Sequence, residues 1–183
     1  MFTHLLKKFC IIDNLDENYI KNTPKNIAII YRNYQKQVDI EKIIKFKNVC
    51  KKHRKLFIIA NEYKIAIKAN LDGVYLPSFN TKINLNINKR KNFLILGSAH
   101  SIIEIKKKEK QGVNYIFLSP LYETKKTKKF LNICKFKELS KHTEKKVVAL
   151  GGINKKNLKS LQILRLYGYA SISLFKEYAI THK

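Results

Sequence analysis

Val147-Val148-Ala149-Leu150-Gly151-Gly152-Ile153-Asn154 is a run of apolar, partly β-branched residues that ends in two glycines. It lacks the polar and apolar alternation of a strand with one wet face, so it must be covered on both sides, as parallel sheets are. Paired glycines let a backbone approach a ligand with no Cβ in the way. A helix starting just behind them aims free N–H groups at an anion. Gly-Gly also ends strands as plain turn punctuation, so its meaning depends on the rest of the chain.

Seven further runs have the same character: 8–13, 27–32, 55–60, 73–76, 92–97, 114–119 and 169–174. Phe57-Ile58-Ile59 and Phe93-Leu94-Ile95-Leu96 are continuously apolar. The segments between them read as helices. Ile40, Ile43, Ile44 and Val49 recur at helical spacing behind an Asp39 cap, Glu62 to Asn70 repeats the pattern, and Ile102, Ile103 and Ile105 follow a Ser101 cap. Eight strand–helix units close a (β/α)8 barrel, and a doubly wound open sheet is the alternative. At 183 residues the chain is short for a barrel. Its helices must therefore be trimmed, with Glu17 to Lys25, broken by Pro24, and the Asn-rich stretch Asn80 to Lys91 as the places to economise.

Length and 45% apolar content fit one domain over residues 1–183. With no apolar run long enough to span a bilayer and no signal-peptide pattern at Met1 to Lys8, a soluble, cytoplasmic protein without a membrane partner is expected. Cys10, Cys50 and Cys134 are odd in number and far apart, which suits reduced thiols and neither a disulfide framework nor a zinc site. The net charge of +25 raises the question of nucleic acid. Its lysines, however, are scattered along the chain and only four residues are arginine, so a solvated lysine coat is the preferred reading. Lys125-Lys126-Thr127-Lys128-Lys129 is the densest block and suits an anionic ligand. Nothing in the sequence signals an oligomeric state.

In a barrel, chemistry belongs at the C-terminal ends of the strands. Those ends supply Asp13, Arg32, Asn61, Ser78, Ser98 with His100, Ser119 with Thr124, Gly151 with Gly152, and Ser173. The Gly151–Gly152 pair and Ser173 follow strands seven and eight, where barrels commonly hold phosphate. His4, His53, His142 and His182 stand in charged or terminal contexts and are expected in solvent. Asp72, just before Gly73, reads as a turn residue. Tyr31, Tyr75 and Tyr122 suit either packing or stacking on a heteroaromatic ring.

Tyr31-Arg32, Leu71-Asp72-Gly73-Val74-Tyr75-Leu76, Ser98-Ala99-His100-Ser101, Leu118 to Thr124 and Ala149 to Ile153 occur in the order found in thiamine phosphate synthase. The chain resembles that family, which includes the thiazole tautomerase, from about strand two to strand eight. The resemblance implies a barrel transferase of thiamine biosynthesis. Such an enzyme couples hydroxymethylpyrimidine diphosphate with thiazole phosphate, giving thiamine phosphate and pyrophosphate. It implies that Gly151, Gly152 and Ser173 hold the thiazole phosphate, and that Arg32, Ser98 and Thr124 serve the diphosphate, with Asn61 also on the substrate side. An Arg fork and hydroxyl donors suit a departing diphosphate, and Lys128 can add an ammonium.

The resemblance also implies Mg²⁺ held by carboxylates after strands three and four. Those places read Ala60-Asn61 and Asn80 here, and a neutral amide does not replace a carboxylate's charge. The glutamine and lysine expected around Arg32 appear as Ile30 and Tyr34. Three readings follow: the synthase; a metal-independent thiazole tautomerase with His100 as its proton shuttle; and a non-catalytic binder of thiazole phosphate. His100 itself is either that shuttle or a residue packed at the start of its helix.

Overall fold

In the computed structural model the described residues are 6–35, 37–83, 91–125 and 127–176. Strands β1 (Lys7–Ile12), β2 (Ile27–Tyr31), β3 (Leu56–Ala60), β4 (Gly73–Leu76), β5 (Leu94–Ala99), β6 (Tyr115–Leu118), β7 (Lys146–Leu150) and β8 (Gly168–Ser171) form one closed parallel barrel. The open-sheet alternative is excluded by the pairing of β8 with β1, from Lys7 opposite Gly168 to Cys10 opposite Ser171. Helices α1 (Glu17–Asn22), α2 (Ile40–Lys52), α3 (Tyr63–Lys68), α4 (Ile102–Lys110) and α5 (Asn132–Ser140) lie in the connections, and a 3-10 helix, Lys159–Ile163, precedes β8.

Alternate positions on each strand enter the lumen, and the rest face the helices. This is why the runs are apolar throughout. Phe9, Ile30, Ile58, Tyr75, Leu96, Phe117 and Val148 belong to the inner cluster, while Ile29, Phe57, Ile59, Val74, Ile95 and Ile116 belong to the outer one. Large and small residues alternate around the lumen. Phe9 stands opposite Ala28 on one side and Ala170 on the other. Phe117 is fully buried between Phe9 and Tyr75, with ring centroids 5.0 and 5.4 Å away and near-perpendicular planes.

The caps form as expected. Asp39 accepts from the N–H groups of Glu41 and Lys42, and Ser101 Oγ accepts from Glu104 N. Asp72 is structural, its carboxylate accepting from Phe57 N at 2.7 Å. Trimming is real: α1 has six residues and ends before Pro24, and 77–83 contains no helix. The remainder of the Asn80 to Lys91 stretch lies largely outside the described residues, as do His4 and His182.

Three expectations need correction. β8 ends at Ser171, not at Leu174, because helical backbone begins at 173 and carries Ser173 out of the strand. No α-helix starts behind Gly151–Gly152; a turn over 155–158 leads into the 3-10 helix. His53 and His142 are half-buried rather than solvated.

Phe117→Ala removes the ring at the centre of the lumen. It is expected to cost about 3–5 kcal/mol in urea unfolding. A loss below about 1 kcal/mol would show that the lumen is not close-packed around it.

Candidate active site at the barrel mouth

Following the lumen-facing alternation to the strand ends and one residue beyond places Arg32 above Ile30, Ser98, still within β5, above Leu96, and Ser119 above Phe117. The ladders continue far enough to fix this, since Arg32 N donates to Ile12 O at 2.8 Å and Ser119 N to Ala99 O at 3.3 Å. Beneath them lies the buried Tyr75, in the inner cluster of the lumen. Burial pushes the Tyr75 phenol up, while the neighbouring Ser98 hydroxyl and the Arg32 charge pull it back. Tyr34, 49% exposed on the rim, is raised by partial desolvation, and it feels both Tyr75 and Arg32. Tyr34 and Phe79 meet edge to face at 5.4 Å on the rim. Arg32, Ser98 and Ser119 thus stand at the mouth, above Tyr75 in the lumen.

His100 sits at the end of β5 with its Nδ1 2.7 Å from Ser119 O and 3.2 Å from Ser119 Oγ. A carbonyl only accepts, so Nδ1 carries the proton of the neutral ring and the Nε2 lone pair is left as the basic site. The backbone also holds the residue, because His100 N donates to Glu104 Oε2 at 2.6 Å.

Gly151 and Gly152 have φ of 96° and 68°, the left-handed region where glycine is favoured. The space a Cβ would need is occupied by protein. At Gly151 it would lie 2.6 Å from Pro120 Cβ, and at Gly152 it would collide with Glu123 O and lie 2.7 Å from Tyr122 Cβ. The loop after β6 is seated directly on the glycines, with Leu121 N donating to Leu150 O and Tyr122 N to Gly151 O. The side-chain amides of Asn154 and Asn157 both donate to Gly152 O, at 3.2 and 2.9 Å. The glycines therefore join the β6 loop to β7 as well as flanking the mouth. Ser171, not singled out from sequence, links the next strand by donating to Ile153 O at 2.8 Å and accepting from Leu174 N. Ser173 follows two residues later in the helical turn.

On the same β6 loop, Thr124 and Thr127 bond each other through backbone and hydroxyl groups, with Thr127 N donating to Thr124 Oγ1 at 3.2 Å. Lys125, Lys128 and Lys129 are exposed on it. Asp13 is exposed at the rim and Ser78 is half-buried.

The positions where the resemblance implies metal carboxylates hold a closed amide pair. Asn80 Nδ2 donates to Asn61 Oδ1 at 2.8 Å, and Asn80 Oδ1 accepts from Lys82 N at 3.1 Å and Gln111 Nε2 at 3.3 Å. Behind them is Lys108, 1% exposed, whose Nζ donates to Pro77 O, Asn80 O and Gln111 Oε1 at 2.6, 2.8 and 2.9 Å. Burial pushes this ammonium down to about 8, with Glu104 opposing. Neutral oxygens already engaged, next to a buried cation, do not fit Mg²⁺, which is usually held by carboxylates. Among the described residues no group of three His, Cys, Asp or Glu could hold a metal elsewhere. Lys108 was not identified from sequence, although it falls three residues after Ile105, on the apolar stripe of its helix.

The thiamine monophosphate synthase family model matches residues 17–175. The chain belongs to this family. It is 35% identical to putative thiamine-phosphate synthase 2 of Aquifex aeolicus over 131 residues, 69% of each chain. It is 31% identical to the thiamine-phosphate synthase of Prochlorococcus marinus strain AS9601 over 90% of this chain, and spans 48% of that longer protein. The thiamine phosphate pyrophosphorylase of Pyrococcus furiosus shares the fold, with a TM-score of 0.75 at 20% identity and 96% of each chain covered. The family thus places the chain among thiamine phosphate synthase-like enzymes, which are transferases.

Gly152→Ala is expected to destabilise the protein by about 1–3 kcal/mol and to expose the β6 loop to proteolysis. Gly112→Ala is the control, since it has a similar φ of 72° with open space around it. Equal effects would mean that seating of the loop on Gly152 contributes nothing. In a separate measurement, Mn²⁺ titrated without substrate and followed by electron paramagnetic resonance should show no site tighter than about 1 mM. A micromolar site abolished by Asn61→Ala would overturn the reading of the amide pair.

Proposed function

We propose that this barrel, one domain over residues 1–183, carries the synthase reaction: hydroxymethylpyrimidine diphosphate and thiazole phosphate give thiamine phosphate and pyrophosphate. The observation that most supports it is the placing of Arg32, Ser98 and Ser119 by the strand ladders at the mouth, at the same barrel end as Gly151–Gly152. The thiazole phosphate lies against Gly151, Gly152 and Ser173. The thiazole nitrogen attacks the pyrimidine methylene carbon as that carbon's bond to the diphosphate oxygen breaks, and the electron pair leaves on pyrophosphate.

Catalysis of this step needs positive charge and donors where the leaving group gains charge. Arg32 presents a fork to two oxygens at once, Ser98 adds a hydroxyl, and Thr124 and Lys128 approach from the β6 loop. Asn61 lies at the pyrimidine side of the rim. Mg²⁺ is the family's cofactor, but the amide pair does not fit it, and none of these roles uses it. Both substrates are small phosphorylated molecules; nucleic acid and membrane play no part, and the setting is the cytoplasm. No helix among the described residues is long and apolar enough to cross a membrane.

A second reading is favoured by one observation, the fixed tautomer of His100. With Nδ1–H held by Ser119 O, Nε2 can take a proton from a thiazole carboxylate tautomer and return it at another carbon, with no metal.

Purified protein should form thiamine phosphate from the two substrates, and Arg32→Ala should slow turnover about 100-fold. His100→Ala should leave synthesis within about threefold. Aromatisation of the thiazole carboxylate that His100→Ala abolishes, without thiamine phosphate formation, would establish the tautomerase instead.

A further inference from the structure

We propose that Lys108, outside the lumen and one helix away from the mouth, is a positioning residue for the pyrimidine diphosphate side of the site. The inference rests on the synthase reading above. Segment 77–82 leaves β4 without forming a helix; Pro77 O takes a turn bond from Asn80 N at 3.0 Å, and the carbonyls of Asn80 and Lys82 are met by side chains. Buried carbonyls left unpaired are costly. Lys108 donates to Pro77 O and Asn80 O, and its third donor goes to Gln111 Oε1. Gln111 in turn donates to Asn80 O and Lys82 O, at 3.0 and 2.9 Å. Three acceptors for three N–H groups is the stoichiometry of an ammonium, and a neutral amine would leave one acceptor short.

What this pair of side chains holds is the rim. Asn80 is turned onto Asn61, and its neighbour Phe79 onto Tyr34, which in turn feels the charge of Arg32. The lysine stem is also fixed against the strand that carries Ser98. It crosses Gly97 so closely that a Cβ there would lie 2.8 Å from Lys108 Cδ. Lys108 is 1% exposed, so it acts through the segment and not by touching substrate. Gly151, Gly152 and Ser173, on the thiazole phosphate side, are attached to other loops.

Lys108→Met keeps most of the stem and removes the donors; Gln111→Leu is the second variant should the first fail to fold. The expected result is a split. KM for the pyrimidine diphosphate should rise about tenfold while KM for thiazole phosphate stays within about twofold. Hydrogen exchange should accelerate in 77–82 and not in β7 and β8. Both KM values moving together, or neither moving, would overturn the proposal. If the unaltered protein shows no turnover, the synthase reading fails by itself. Calorimetric binding of inorganic pyrophosphate then replaces KM, and binding unchanged by Lys108→Met would overturn the positioning role.

Discussion

The pairing of β8 with β1 is the constraint on which the rest depends. Four residues of each strand face each other across that seam, and the backbones approach so closely that a Cβ on Gly168 would strike Lys7 O. Closure gives the sheet an inside, which one residue in two must fill. The same alternation carries Arg32, Ser98 and Ser119 above the filled layers. The site is therefore a continuation of the packing pattern, with polar residues beginning where the lumen meets solvent.

The strands were legible because burial on both faces writes an unbroken apolar run, and two helix starts because Asp39 and Ser101 are cap residues with a local job. Arg32, Ser98 and Gly151–Gly152 could be placed at the mouth because strand ends in a barrel converge whatever the sequence between them. What was missed depends on partners distant in the chain. Gly151 and Gly152 read as room for a ligand, while their Cβ space is filled by a loop some thirty residues earlier. Asn61 and Asn80 read as lost ligands, and only the fold shows them bonded to each other. Lys108 reads as one more lysine of a basic chain until the carbonyls of 77–82 are placed against it. The strand boundary at Ser171 was misplaced because Ile172 and Leu174 continue an apolar pattern into the next helix.

The two sides of the mouth match unequally what the family resemblance implies. The β7–β8 side keeps its paired glycines and serine. Around β2 to β4, positions that the family resemblance assigns to charged groups hold Tyr34, Asn61 and Asn80, and the rim gains an aromatic pair. Removing opposite charges together avoids leaving one of them unpaired in a partly buried place. Positive charge persists at Arg32 and, behind the rim, at Lys108. In the proposed reaction the leaving diphosphate would thus meet a mouth whose fixed charge comes from the protein's own cations.

A crystal structure of the protein with thiamine phosphate bound tests this arrangement most directly. The expected result is the product's phosphate against Gly151 and Gly152, its pyrimidine toward Arg32, Ser98 and Asn61, and the Asn61–Asn80 bond intact. Product bound away from the mouth, or a metal ion between Asn61 and Asn80 with their hydrogen bond broken, would contradict it.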